Sequence, residues 1–358
     1  LFNRRLAIVL KSVAILIATA VVAGIVYEQL GRRRDLRHLP QIGKSVDIGG
    51  RTLNISCVGT GAPAVIFESG GDAPGLEWAP YQAEVARFTQ ACWYDRAGIG
   101  WSDSGPYPRT SAAIARDLHA LLRSAGVPPP YVLAGASFGG LNARVYAGLF
   151  PKEVAGLVLI DSAHEDEPLR APKLLLGRTA PRIFWHPFDL VLRTASFIGL
   201  IRLSESSRTG SENPGQIGRE EMIAALRKQP KSVVNNITTG VVLPESFDQA
   251  RATGTLGDIP LIVLTAGTPF DFHDPELNRQ AAAYQQVWVH EIQPKLARLS
   301  TRGRQIVVPN ANHGTIPQEL IIGAIRDVVS QARGESPTHQ VARVPRHTIG
   351  PMHGQSGS

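Results

Sequence analysis

Tyr131-Val132-Leu133-Ala134-Gly135-Ala136-Ser137-Phe138-Gly139-Gly140-Leu141 carries the reading of this chain. Tyr131 to Gly135 is an unbroken apolar run of strand length, and Leu141 to Phe150 has helical character until Pro151 stops it. Between them Gly135-Ala136-Ser137-Phe138-Gly139 fits the pattern G-x-S-x-G. A strand that turns sharply into a helix crowds the residues two before and two after the turn. Glycine at both places leaves the central serine hydroxyl standing at the C-terminal edge of a sheet. The helix N-terminus lies behind it, where negative charge would develop. The five-residue pattern alone is common. The strand before it and the helix after it give it weight against the plainer reading, a serine that merely caps a helix.

Working outward, apolar strand-like runs recur at Lys44 to Ile48, Thr52 to Val58, Ala64 to Glu68, Ala91 to Asp95, Val154 to Ile160, Pro260 to Thr265 and Gln305 to Val308. Gly49-Gly50 joins the first two as a hairpin. Helical stretches fall at 78–90, 110–125, 275–299 and 316–332, the second with Ile114, Leu118, Leu121 and Leu122 at helical spacing. This alternation predicts an α/β fold, a mostly parallel eight-stranded sheet with helices on both faces. From about 165 to 255 the alternation lapses, and a helical cap inserted after the sixth strand is expected there. Three parts result: 1–37 as an N-terminal segment, 38–333 as the folded domain with its cap, and 334–358 as a tail expected to be disordered.

The formal charge is +7 over 358 residues. Seven basic residues against two acidic ones lie in 1–37, so the body is nearly neutral and offers no footprint for nucleic acid. The basic residues flank Leu6 to Tyr27, an apolar stretch broken only by Lys11 and long enough for a ~30 Å hydrocarbon layer. A single-pass signal anchor is expected, most naturally in a bacterial inner membrane. Cleavage after Ala18-Thr19-Ala20 is the rival reading, which would release a secreted form. Arginines on both sides leave the orientation open. Two cysteines, Cys57 and Cys92, are too few for structural zinc, and no dinucleotide fingerprint is present, so no metal and no cofactor are expected.

A serine nucleophile needs a base. His313, in Asn310-Ala311-Asn312-His313-Gly314, follows the last strand and precedes the last helix, the third place in the order Ser…acid…His. Two aspartates compete for the acid. Asp161 ends the strand after the nucleophile. Asp271 lies in the loop after the next strand. Rigid support favours Asp161. The amides of Phe138 and Gly71, the latter in Ser69-Gly70-Gly71, are the candidate oxyanion donors; the plainer reading of that glycine pair is a turn.

Tyr94-Asp95-Arg96-Ala97-Gly98-Ile99-Gly100-Trp101-Ser102 resembles the Y-D-x-x-G-x-G-x-S segment after the fourth strand in the α/β-hydrolase superfamily. With Gly135 to Gly140, Leu157 to Asp161 and Asn312-His313-Gly314, the resemblance covers roughly 45–332 and extends to bacterial α/β-hydrolases with an N-terminal membrane segment. There are departures. Ser69-Gly70 stands where many relatives have His-Gly, Ala136 where they often have His, and Asp271 is one residue late for the usual acid loop. Serine at 137 argues against the dehalogenases and epoxide hydrolases of the family, whose nucleophile is Asp. The resemblance also implies adjacent second and fourth strands, which would bring Cys57 beside Cys92 as a disulfide or as two buried thiols.

The expected function is a serine esterase acting on a small, apolar substrate through an acyl-enzyme; thioester, amide and lactone cleavage share the machinery. A ligand-binding or signalling protein on the same scaffold and a cofactor-free haloperoxidase are the alternatives. Phe184, Trp185, Phe188 and Phe197 in the cap suggest an apolar pocket, or else pack the cap onto the body.

Overall fold

The computed structural model describes residues 2–171, 185–206 and 218–335. The 334–358 tail lies almost entirely outside these residues, as does Phe184. Eight strands form one sheet: β1 (Lys44–Asp47), β2 (Thr52–Val58), β3 (Ala64–Glu68), β4 (Ala91–Tyr94), β5 (Tyr131–Ala136), β6 (Val154–Ile160), β7 (Leu261–Ala266) and β8 (Gly303–Val308). Their spatial order is β1-β2-β4-β3-β5-β6-β7-β8. β2 runs antiparallel to β1 and β4, and every other pairing is parallel.

The helices are α1 (Phe2–His38), α2 (Ala79–Val85), α3 (Ser111–Ala125), α4 (Phe138–Leu149), α5 (Glu167–Arg170), α6 (Trp185–Phe197), α7 (Leu200–Ser206), α8 (Arg219–Arg227), α9 (Pro230–Val241), α10 (Leu243–Ala252), α11 (Pro275–Val287), α12 (Gln293–Ala297) and α13 (Gln318–Ala332). Strand side chains alternate between faces. Ile66, Leu133, Leu157 and Val263 therefore pack with Leu118 and Leu122 of α3 and Leu141 of α4. Val65, Phe67, Val132, Val158 and Leu264 pack with Val85 of α2 and Ile325 and Val328 of α13. Both faces are buried, which is why the central strands read as continuous apolar runs.

Two expectations are corrected. The predicted helix over 275–299 is interrupted by a π turn at Trp288–Ile292 before α12 resumes. The expected cap runs to about 255, yet α10 belongs to the body. Phe247 and Ala250 sit in the core beside α3 and α4, and Ser246 Oγ and Gln249 Oε1 accept the free amides of Ser111 and Ala112 at the start of α3. An amphipathic helix without a strand beside it carries no mark of which layer it joins.

Asp95 and Ser102 of the Y-D-x-x-G-x-G-x-S segment are architectural. Asp95, fully buried, accepts from the amides of Gly75 and Trp101 and from Asn54 Nδ2. Ser102 Oγ donates to Asp95 O at 2.6 Å and accepts from Asn54 N at 2.8 Å. Cys57 and Cys92 are register partners across β2 and β4 and are joined as a disulfide.

α1 contains an apolar segment, Arg4–Asp35, with mean hydropathy 2.5 over its best window and none of that window buried. It is long enough to cross a membrane. Its C-terminal end is fixed to the body by Arg202 of α7, which donates at 2.8 Å to both Glu28 and Asp35.

Candidate active site

The end of β5 supplies the most strained residue of the region. Ser137 adopts φ 52°, ψ −123°, directly before α4. Positive φ is costly for a residue with a side chain and persists only where the surroundings enforce it. Here Ser137 N donates to Ile160 O, and Ser137 O accepts from Gly140 N and Ala163 N, each at 3.0 Å. The flanking glycines are required by contact. A Cβ on Gly135 would lie 2.6 Å from Gly139 O, and one on Gly139 would lie 2.2 Å from Glu68 O. The Ser137 side chain is half-buried and opens onto a cavity of about 400 Å³.

Asp161 and His313 line the same cavity. Asp161 Oδ2 lies 2.6 Å from His313 Nδ1. The other carboxylate oxygen accepts from Ala266 N at 3.0 Å and from the indole Nε1 of Trp288 at 2.7 Å. Asp161 N is itself bonded to Leu264 O at 2.7 Å, so the carboxylate is held from both ends. Asp271 is not brought to His313. It is exposed, and its Oδ1 accepts from His273 N and Asn278 Nδ2 at the start of α11. The short loop after β7 turns this carboxyl into its own turn, away from the imidazole.

Enclosure pulls the His313 imidazole down, but the hydrogen bond and charge of Asp161 more than offset it, and its pKa lies above the ordinary value of 6.5. Glu167 of α5 also borders the cavity. Burial pushes its carboxyl up to about 7, opposed by the His164 amide and the His313 imidazole and helped by the charge of Asp161. The ionised Glu167 in turn holds His313 up.

The loop carrying Gly70 and Gly71 approaches from β3. A Cβ on Gly70 would stand 3.5 Å from Ser137 Cβ, whereas one on Gly71 would face open space. This loop is held by Arg96, whose guanidinium donates to the carbonyls of Ser69, Gly70 and Gly71 and pairs with Glu68 at 2.8 Å. Arg96 and Glu68 are both buried, and Tyr94 and Asn142 also donate to Glu68. The amide of Phe138, at the first position of α4, has no acceptor within its own helix.

Comparison with known proteins agrees with this architecture. A family model of the α/β hydrolase fold matches residues 63–202. The esterase of Thermogutta terrifontis superposes with a TM-score of 0.53 at 20% identity, over 82% of this chain and 99% of that one. The chain has the α/β-hydrolase fold. Among curated relatives, the chain resembles the uncharacterised protein YbdG of Bacillus subtilis, 27% identical over 158 residues, or 44% of this chain and 49% of YbdG. It also resembles an AB hydrolase superfamily protein of Gibberella zeae, 30% identical over 107 residues, 29% of this chain and 33% of that protein. The chain thus spans half or less of the length of these relatives.

Arg96, Trp288 and Glu167 were not singled out by the sequence. Arg96 occupies a variable place of its motif. Trp288, which reaches Asp161 across 127 residues of sequence, is the first residue of the π turn, a distortion frequent at functional sites. Glu167 was one of several acids in Glu165-Asp166-Glu167. The apolar cavity wall comes from Phe270, Phe272, Leu277 and Trp288, in the loop after β7, α11 and the π turn. Phe188 and Phe197 instead face outward from the cap, and the side chain of Trp185 is outside the described residues.

Proposed function

We propose that this α/β-hydrolase is a serine esterase, with Ser137 as nucleophile, His313 as general base and acid, and Asp161 as the group that orients His313. The observation carrying this reading is the 2.6 Å bond from His313 to Asp161, at a cavity onto which Ser137 also opens. In the first step Ser137 Oγ attacks the acyl carbon while its proton passes to His313 Nε2. The carbonyl oxygen becomes an oxyanion, received by the Phe138 amide and an amide of the Gly70-Gly71 loop. Collapse breaks the bond to the leaving alkoxide, which takes the proton from His313. Water then repeats the sequence on the acyl-enzyme, releasing a carboxylic acid and restoring Ser137. Thioester, lactone and amide substrates would follow the same path.

The aromatic wall favours a small apolar acyl group. The apolar α1 favours a membrane anchor, and the Cys57–Cys92 disulfide favours a domain on the oxidising side of that membrane. A fluorophosphonate probe tests the reading directly: labelling of the full chain should map to Ser137 and vanish in Ser137→Ala. Absent labelling of the wild type, or equal labelling of both, would reject it.

The pH profile supplies a second expected result. Only neutral His313 can take a proton, and its pKa is raised, so kcat/KM for an activated ester should fall with decreasing pH through a midpoint above 6.5. Replacing Glu167 with glutamine removes a charge that favours the imidazolium, so the midpoint should move to lower pH. An unmoved limb in Glu167→Gln would show that this carboxyl does not act on His313.

A further inference from the structure

The polarity of α6 is inverted with respect to the protein interior. Asp189 and Ser196 are buried, and Arg193 folds inward to pair with Asp189 at 2.7 Å and donate to Gly105 O at 3.1 Å. Leu190, Val191 and Phe197 face outward, followed on α7 by Leu200 and Leu203, all 52–66% exposed. Leu190 and Phe197 fall seven residues apart, two turns, as a stripe on one side of the helix, with Val191 beside Leu190 and the Thr194 hydroxyl between them tied back to Leu190 O. A helix that turns Asp189 and Ser196 inward and presents large apolar side chains outward has the wrong face toward water.

The stripe is continuous with α1. The turn from α6 to α7 crosses α1 at Gly24, with a contact so close that a Cβ there would lie 2.2 Å from Ile198 O. From the other side, a Cβ on Gly199 would lie 2.6 Å from Gly24 O. Small residues at such a crossing allow backbones to touch. At a rise of about 1.5 Å per residue, Leu6 to Gly24 spans about 27 Å, close to the thickness of the hydrocarbon layer. The α6–α7 turn therefore meets α1 where α1 would leave that layer, and the Arg202 pairs to Glu28 and Asp35 lie just beyond it. Arg32, Arg33 and Arg34 follow at the level of the head groups.

From this geometry we infer that α6 and α7 lie in the membrane interface, with the bilayer that holds α1 covering the stripe from Leu190 to Leu203. The inference rests on the membrane-anchor reading of α1. In this arrangement the apolar face sinks into the boundary between head groups and acyl chains while Asp189, Arg193 and Ser196 stay in the protein. The cap then sits against the bilayer as a second attachment.

Depth-dependent fluorescence quenching tests it. Cys57 and Cys92 are tied in the disulfide, so bimane can be placed on single introduced cysteines in the full chain, reconstituted into vesicles containing brominated phosphatidylcholine. The variants are Leu16→Cys on α1, Leu190→Cys and Leu200→Cys on the stripe, and Arg302→Cys before β8, on the opposite edge of the sheet. Labels at 16, 190 and 200 should lose roughly half their emission, as expected for groups within about 10 Å of the acyl boundary, and the label at 302 should lose little. Quenching at 16 without quenching at 190 and 200 overturns the inference and leaves the anchor intact. No quenching at 16 removes the anchor reading itself. Unquenched labels at 190 and 200, together with disulfide crosslinks between copies of the unlabelled Leu190→Cys and Leu200→Cys variants, would assign the stripe to a second copy of the chain and also overturn it.

Discussion

Replacing Asp161 with asparagine is expected to lower kcat/KM by about four orders of magnitude while leaving the melting temperature nearly unchanged. The reason is the direction of the hydrogen bonds. Trp288 Nε1 and Ala266 N both donate to Oδ1, so an asparagine would place its oxygen there and turn its amide nitrogen toward His313. The amide donates, and His313 Nδ1 must then accept. The imidazole proton moves to Nε2, the nitrogen that takes the proton of Ser137 in the proposed mechanism. The buried contacts survive and the base is lost. Asp271→Asn is the control: this exposed residue bonds to His273 and Asn278 close by in sequence, and its replacement should leave kcat within about twofold, as for an ordinary surface substitution. Ester hydrolysis and a thermal melt on both variants check the pair. A large loss in Asp271→Asn with a mild one in Asp161→Asn would reverse the assignment.

Arg96→Met should cost both stability and rate, and the two can be separated. Glu68 would be left as a buried carboxylate with only Tyr94 and Asn142 donating to it, and breaking such a pair costs about 3–5 kcal/mol. The loop at Gly70-Gly71 would also lose the donor that fixes its three carbonyls. Loss of one oxyanion donor lowers kcat by about 10² to 10³. The double variant Glu68→Gln with Arg96→Met removes the stranded charge, so much of the stability should return. If Arg96 positions the loop, kcat stays low in the double variant with KM little changed. Full recovery of kcat would reduce Arg96 to a structural ion pair.

The frame of the fold was legible because burial leaves periodic marks. Leu133, Leu157 and Val263 read as buried strands since both faces of the sheet are covered. The turn at Ser137 and the place of His313 after β8 followed from chain order alone. Asp161 and Asp271 were not separable in the same way, because the choice depends on which loop folds back on itself. α10 was read as cap because amphipathic spacing says that a helix has an apolar side, never what lies against it. α6 is the sharpest case. Asp189, Arg193 and Ser196 alternate with Leu190, Val191 and Phe197 in a regular pattern, and the ordinary assumption would turn the leucines inward. The structure turns them out, and with them Phe188, and the apolar cavity wall comes instead from the β7 loop, α11 and Trp288. Trp288 and Arg96 act over long sequence distances and leave no local pattern.

The grip of Arg202 on α1 bears on how far the domain could travel with α1 as the membrane anchor proposed above. Glu28 and Asp35 are about two turns apart, so one side chain pins the helix at two heights and resists both tilting and spinning. Only five residues separate His38 from Lys44, too few for a slack leash. The domain rides on a mast instead of a rope. On the proposed membrane and esterase readings, the cavity at Ser137 would keep a constant height and heading over the surface below, and encounters with substrate would become a search in two dimensions, in which the whole molecule drifts to the ester rather than leaning out to reach it.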